Sequence, residues 1–82
     1  MPKLKVTSGK KVIKIFEGFG FNMTAQRGSH IKLKRIDASG REQVLAIPNH
    51  KEIDRGTLKA IINQASHYIP EAELRKLFYT RS

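Results

Sequence analysis

Cysteine is absent from the 82 residues. Its absence excludes a disulfide framework and any thiolate-bound metal, and it suits a reducing compartment. Long apolar runs are missing too. None approaches the ~20 residues that span a bilayer, and no signal-peptide core follows Met1. A cytoplasmic protein without a membrane segment is therefore expected. Acidic residues are scarce, with seven Asp and Glu against sixteen Lys and Arg. No internal repeat, low-complexity stretch or linker divides the chain, and one small domain over residues 1–82 is expected.

What is present in excess is positive charge, a formal +9 with a pI near 10.3. Lys3, Lys5, Lys10, Lys11 and Lys14 come early. Arg27, Lys32, Lys34, Arg35 and Arg41 stand in the middle, and Arg75, Lys76 and Arg81 come late. This is a basic folded domain and not a basic tail. Such a field suits a polyanion, nucleic acid first and an acidic protein second; the plain alternative is a solubilising surface. No segment combines a strong apolar face with terminal anchoring, so an anionic membrane fits less well.

The first seven residues read as a loose arm or a short edge segment. Ser8 is placed to cap a helix carrying Val12, Ile13, Phe16 and Phe19 at helical spacing, which Gly20 ends in the left-handed conformation. Gly18 falls in its last turn and weakens it. Phe21, Met23 and Ala25 alternate with polar residues as a half-buried strand, Gly28-Ser29 makes a turn, and Ile31 and Leu33 alternate with His30, Lys32 and Lys34. Asp37 to Gly40 is a second turn. Gln43 to Ile47 is a third strand, with Leu45 and Ile47 inward, stopped by Pro48. Asp54 caps a second helix with Leu58, Ile61, Ile62 and Ala65 inward. Pro70 falls in the first turn of a short last helix, with Leu74, Leu77 and Phe78 facing in. The expected class is α+β: a three-stranded antiparallel sheet with helices on one face, in the order α-β-β-β-α plus a C-terminal helix.

Gly28-Ser29-His30 at the hairpin tip carries the chemistry. An RNA chain is cleaved without metal when its own 2′-hydroxyl attacks the adjacent phosphorus. The protein must then move two protons and stabilise charge on the phosphate. Histidine suits either proton transfer, and cations supply the stabilisation. Residues 30, 32 and 34 share a strand face, so Lys32 and Lys34 line up with His30 for the scissile phosphate. The N–H groups of Gly28 and Ser29 can also point at a phosphate. From the residues alone, His30 is either this acid/base or an exposed turn histidine, and Gly28 is first a turn residue with positive φ. Ser29 either shapes the turn or hydrogen-bonds a phosphate. His50 is a second acid/base, an RNA contact, or a loop histidine bonded to backbone. His67 falls just after a helix C-terminus. The three histidines lack metal-ligand spacing and no carboxylates cluster with them, so neither a metal site nor another cofactor is expected.

Four segments in order resemble the HicA toxin family. They are Ser8-Gly9-Lys10-Lys11-Val12-Ile13-Lys14, Gly28-Ser29-His30, Ile47-Pro48-Asn49-His50 and Gly56-Thr57-Leu58-Lys59-Ala60-Ile61-Ile62, with Gly20-Phe21 closing the first helix. The resemblance covers residues 8–65 and leaves 66–82 as a C-terminal helical extension. It implies a fold like the double-stranded-RNA-binding domain, and an mRNA interferase, a ribonuclease that arrests translation. It also implies a HicB-like antitoxin partner that blocks the site. His30 occupies the family's catalytic histidine. In such a fold Lys10, Lys11 and Lys14 on the first helix straddle an RNA groove, or else form a solvated face. Two other readings stand beside this one: a non-catalytic RNA-binding module on the same fold, and an interaction domain whose basic surface docks an acidic protein.

Overall fold

Residues 3–80 are described by the structure, a computed structural model of the chain; Arg81 and the ends of the expected 1–82 domain lie outside the described residues. Two of the three helices begin on a side-chain cap. Ser8 Oγ accepts the Lys11 N–H at 3.2 Å and opens α1 (Gly9–Glu17). The Asp54 carboxylate accepts the Thr57 N–H at 3.1 Å and the Thr57 hydroxyl at 2.6 Å, opening α2 (Arg55–Ala65). Each bond satisfies a donor that the first helical turn leaves free, as the sequence leads one to expect. α3 (Glu71–Phe78) follows Pro70, which stands at the cap and not inside the first turn. Gly18 likewise falls outside α1, at its C-cap, and Gly20 takes the expected left-handed φ of +94°.

β1 (Asn22–Arg27), β2 (His30–Ile36) and β3 (Glu42–Pro48) form an antiparallel sheet in the order β1-β2-β3. Ile31 and Leu33 of β2 and Leu45 and Ile47 of β3 are buried, in one core with Val12, Phe16, Leu58, Ile61, Leu74 and Phe78 of the helices. The opposite face is open: His30, Lys32 and Ala46 are exposed, and Lys34 and Val44 are half-buried. The α-β-β-β-α order, the C-terminal helix and the inward setting of Leu45 and Ile47 agree with the sequence.

β1 departs from expectation. All six of its residues are exposed, and Met23 keeps 58% of its surface. Two physical reasons combine. β1 is an edge strand that the helices do not cover. Its ladder also breaks: Met23 pairs with Leu33 but Ala25 with Lys32, so Thr24 is an extra residue opposite none. Such a bulge moves everything after it to the other face. Ala25 therefore lies on the open side, and only Phe21, just before the strand, is buried.

The first described residues, from Lys3, form an edge segment. Leu4 bridges Tyr79, the Lys5 N–H donates to the Phe78 carbonyl at 2.8 Å, and the Thr80 N–H donates to the Lys3 carbonyl at 2.7 Å. Arg35, counted by sequence among the surface cations, is an internal clamp. It donates to Gln43 Oε1 at 2.6 Å and to the Phe19 and Tyr68 carbonyls at 2.8 and 3.1 Å, and its guanidinium stacks 4.8 Å from the Phe21 ring centre. Among the described residues no helix is long and apolar enough to cross a membrane.

Candidate functional site

The bulge at Thr24 decides what stands beside His30. With one residue of β1 left out of the ladder, Arg27 becomes the pairing partner of His30, and only Gly28 and Ser29 remain between them. Gly28 takes φ +55° while Ser29 does not turn positive, the pattern of a two-residue type II′ hairpin. A side chain at Gly28 would meet nothing within 4 Å, so its dihedral and not crowding calls for glycine.

The hairpin tip is fixed from the other side of the sheet as well. His30 pairs with Pro48 of β3, and the Asn49 N–H donates to the Ser29 carbonyl. The first turn of α1 then rests on the same segment: the Gly9 N–H donates to the His50 carbonyl at 2.9 Å. A Cβ on Gly9 would overlap the Pro48 carbonyl oxygen and lie 2.9 Å from Asn49 Cα. Helix, hairpin and post-β3 loop thus meet backbone to backbone around His30.

On the open face, Ala25, Arg27, His30, Lys32, Val44 and Ala46 line a cavity of 470 Å³. The apolar floor is Ala25, Val44 and Ala46; the polar wall is two cations and an imidazole, with no carboxylate. Such a wall suits an anion and sets an imidazole beside it. His30 and Lys32 come together as the alternation predicts. Arg27 escaped sequence reasoning, although the turn itself carried the signal: residues flanking a two-residue turn face each other across the ladder.

The other expected phosphate ligands scatter. Lys34 shares the open face, but about 13 Å along the strand from His30 at ~3.3 Å per residue. Its ammonium lies 2.8 Å from Glu42 Oε2. That hydrogen bond first, and the Lys34 charge second, hold the Glu42 carboxyl below its ordinary range. Lys10 borders a hollow of 340 Å³ with Ser8, Asn49, His50 and Lys51, next to the hairpin tip. Lys11 and Lys14 line a different groove with Lys5, against α3. His50 is exposed, with its backbone carbonyl taken by Gly9. His67 sits two residues past the end of α2, its Nδ1 3.2 Å from the Gln64 carbonyl. No group of three His, Asp or Glu side chains among the described residues is placed to hold a metal ion.

No curated protein and no solved structure matches the chain. The family model for the HicA toxin of bacterial toxin-antitoxin systems matches residues 9–66, from the glycine that packs α1 on the post-β3 loop to the C-cap of α2. That span contains the whole sheet, the hairpin and both helices that frame it, more than half of the sequence. The chain belongs to the HicA toxin family.

Proposed function

We propose that this toxin is an mRNA interferase, an endoribonuclease in which His30 provides acid/base catalysis without a metal ion. One observation carries the reading: an exposed imidazole on the helix-free sheet face, with Arg27 directly across the ladder and Lys32 next on its own strand. The RNA 2′-oxygen attacks the adjacent phosphorus, the bond from phosphorus to the 5′-oxygen breaks, and a 2′,3′-cyclic phosphate and a 5′-hydroxyl result. One proton leaves the 2′-hydroxyl and one reaches the 5′-oxygen; His30 carries one of these transfers. Arg27 grips two phosphate oxygens at once through its planar fork, and Lys32 adds a point charge where negative charge accumulates. The Gly28 and Ser29 N–H groups and Lys10 extend the contact along the RNA backbone, and the α-β-β-β-α order supports the double-stranded-RNA-binding-domain likeness. A HicB-like antitoxin restrains the toxin by covering the open face.

A second reading, RNA binding without cleavage, is favoured by one fact: no other histidine and no carboxylate lines the His30 cavity. Incubation of labelled RNA with the pure protein, in chelator, decides between them. Cleavage by the wild type and loss of it in His30→Ala support the enzyme; equal cleavage by both sinks the site. Binding without cleavage by either gives the second reading. Growth arrest on expression, relieved by a co-expressed antitoxin, tests the partner.

A further inference from the structure

Residues 9–66 match the family, yet the described chain has structure on both sides of them. The segment of residues 3–8 and α3 pair with each other, through the Leu4–Tyr79 bridge and the bond from the Lys5 N–H to the Phe78 carbonyl. Together they lie against α1 and leave a groove of 380 Å³ between. Three lysines, Lys5, Lys11 and Lys14, stand along it, and none of its lining residues is acidic. Its apolar part is Val6, Ile15 and Leu77. Val6 is 77% exposed, the most exposed large hydrophobic residue among those described, while Ile15 and Leu77 are half-buried against the core.

We propose that this groove docks an acidic segment of a partner protein, one that carries carboxylates for the lysines and aliphatic side chains for the floor. Three lysines along one groove, with no acidic residue in its lining, favour an anion. The floor decides which anion. A ribose-phosphate backbone has no apolar surface to place on Val6, Ile15 and Leu77, and no aromatic ring lies exposed there for a base to stack on. Aliphatic side chains gain by covering those methyl groups, and a volume of this size seats only a few of them. The proposal goes beyond the ribonuclease reading and does not depend on it, because RNA cleavage is not its readout.

The test is fluorescence anisotropy with the full chain and three labelled probes: a short peptide of Glu and Leu, a peptide of Glu and Ser with equal charge, and a single-stranded RNA of similar length. The Glu–Leu peptide is expected to bind about tenfold more tightly than the Glu–Ser peptide. Lys11→Glu with Lys14→Glu should abolish that binding, Lys32→Glu should leave it, and Leu77→Ser should remove the preference for Leu. Val6→Ser, at an exposed position that the fold does not need, should reduce the same preference even if Leu77→Ser fails to fold. Equal binding of both peptides, unaltered by Val6→Ser, overturns the proposal in favour of diffuse charge. RNA binding that is lost with Lys11 and Lys14 but kept in Lys32→Glu overturns it in favour of a nucleic-acid groove.

Discussion

Arg27 and His30 face each other across the β1–β2 ladder as the last pair before the Gly28-Ser29 turn. The pairing exists because Thr24 is bulged out of β1, and it adds a guanidinium to the cavity that already holds the imidazole and Lys32. On the ribonuclease reading, Arg27→Ala should lower kcat for RNA cleavage by about 10²-fold, the loss typical of one charge-stabilising donor. Arg27→Lys should recover only part of it, because an ammonium lacks the planar fork. Single-turnover cleavage with saturating protein checks both.

Lys32 and Lys34 share a strand face but not a role. Lys34 already lies 2.8 Å from Glu42, whereas Lys32 borders the His30 cavity. Lys32→Ala should weaken RNA binding and reduce the slope of log affinity against log salt by about 1. Lys34→Ala should change both less, and Glu42→Gln, by freeing Lys34, should strengthen binding. A salt titration of RNA affinity for the three variants reads out the ranking.

Gly9 touches the post-β3 loop so closely that a methyl group has no room. Gly9→Ala should destabilise the fold by about 1–3 kcal/mol, because the clash is with backbone that cannot turn aside. The same substitution at Gly28 meets open space and should cost only about 1 kcal/mol, through its positive φ. Urea unfolding of the two variants separates the causes.

Arg35 makes side-chain hydrogen bonds to Gln43, Phe19 and Tyr68 from a half-buried position. Arg35→Met keeps the stem but orphans those acceptors, and should cost about 2–3 kcal/mol in stability. RNA affinity per folded molecule should hold steady. Thermal melts beside binding at a low temperature test the split.

The helix caps predict an acid limit. The Asp54 carboxyl is held below its ordinary value of 3.8, first by the Thr57 hydroxyl and next by the Thr57 N–H. A lowered value in the folded state means the cap contributes above 3.8, and that contribution is lost as pH falls through the lowered value. The stability gap between wild type and Asp54→Ala should therefore close on acidification below 3.8, measured as urea midpoints against pH.

The helices were legible because their signals are local. Ser8 and Asp54 act on N–H groups three residues away, and Leu58, Ile61, Ile62 and Ala65 repeat at the helical period. His30 and Lys32 were legible because a strand alternates. Met23 and Ala25 misled for the same reason: the alternation is intact in the sequence, but Thr24 leaves the ladder and the helices do not reach β1. Arg35 looked like any surface cation, since its three acceptors lie 8, 16 and 33 residues away. Lys10, Lys11 and Lys14 read as one basic face, and only the packing of residues 3–8 and α3 divides them.

Lys3 and Thr80 are joined in both directions, the Thr80 N–H to the Lys3 carbonyl at 2.7 Å and the Lys3 N–H to Thr80 Oγ1 at 3.2 Å. A chain emerges from the ribosome amino end first. The Gly28-Ser29 turn, the pairing of His30 with Arg27 and Pro48, and the Gly9–His50 bond therefore draw only on residues 9–50, whereas the lysine groove needs α3. The order of synthesis thus puts the residues of the hairpin ahead of those that close the groove.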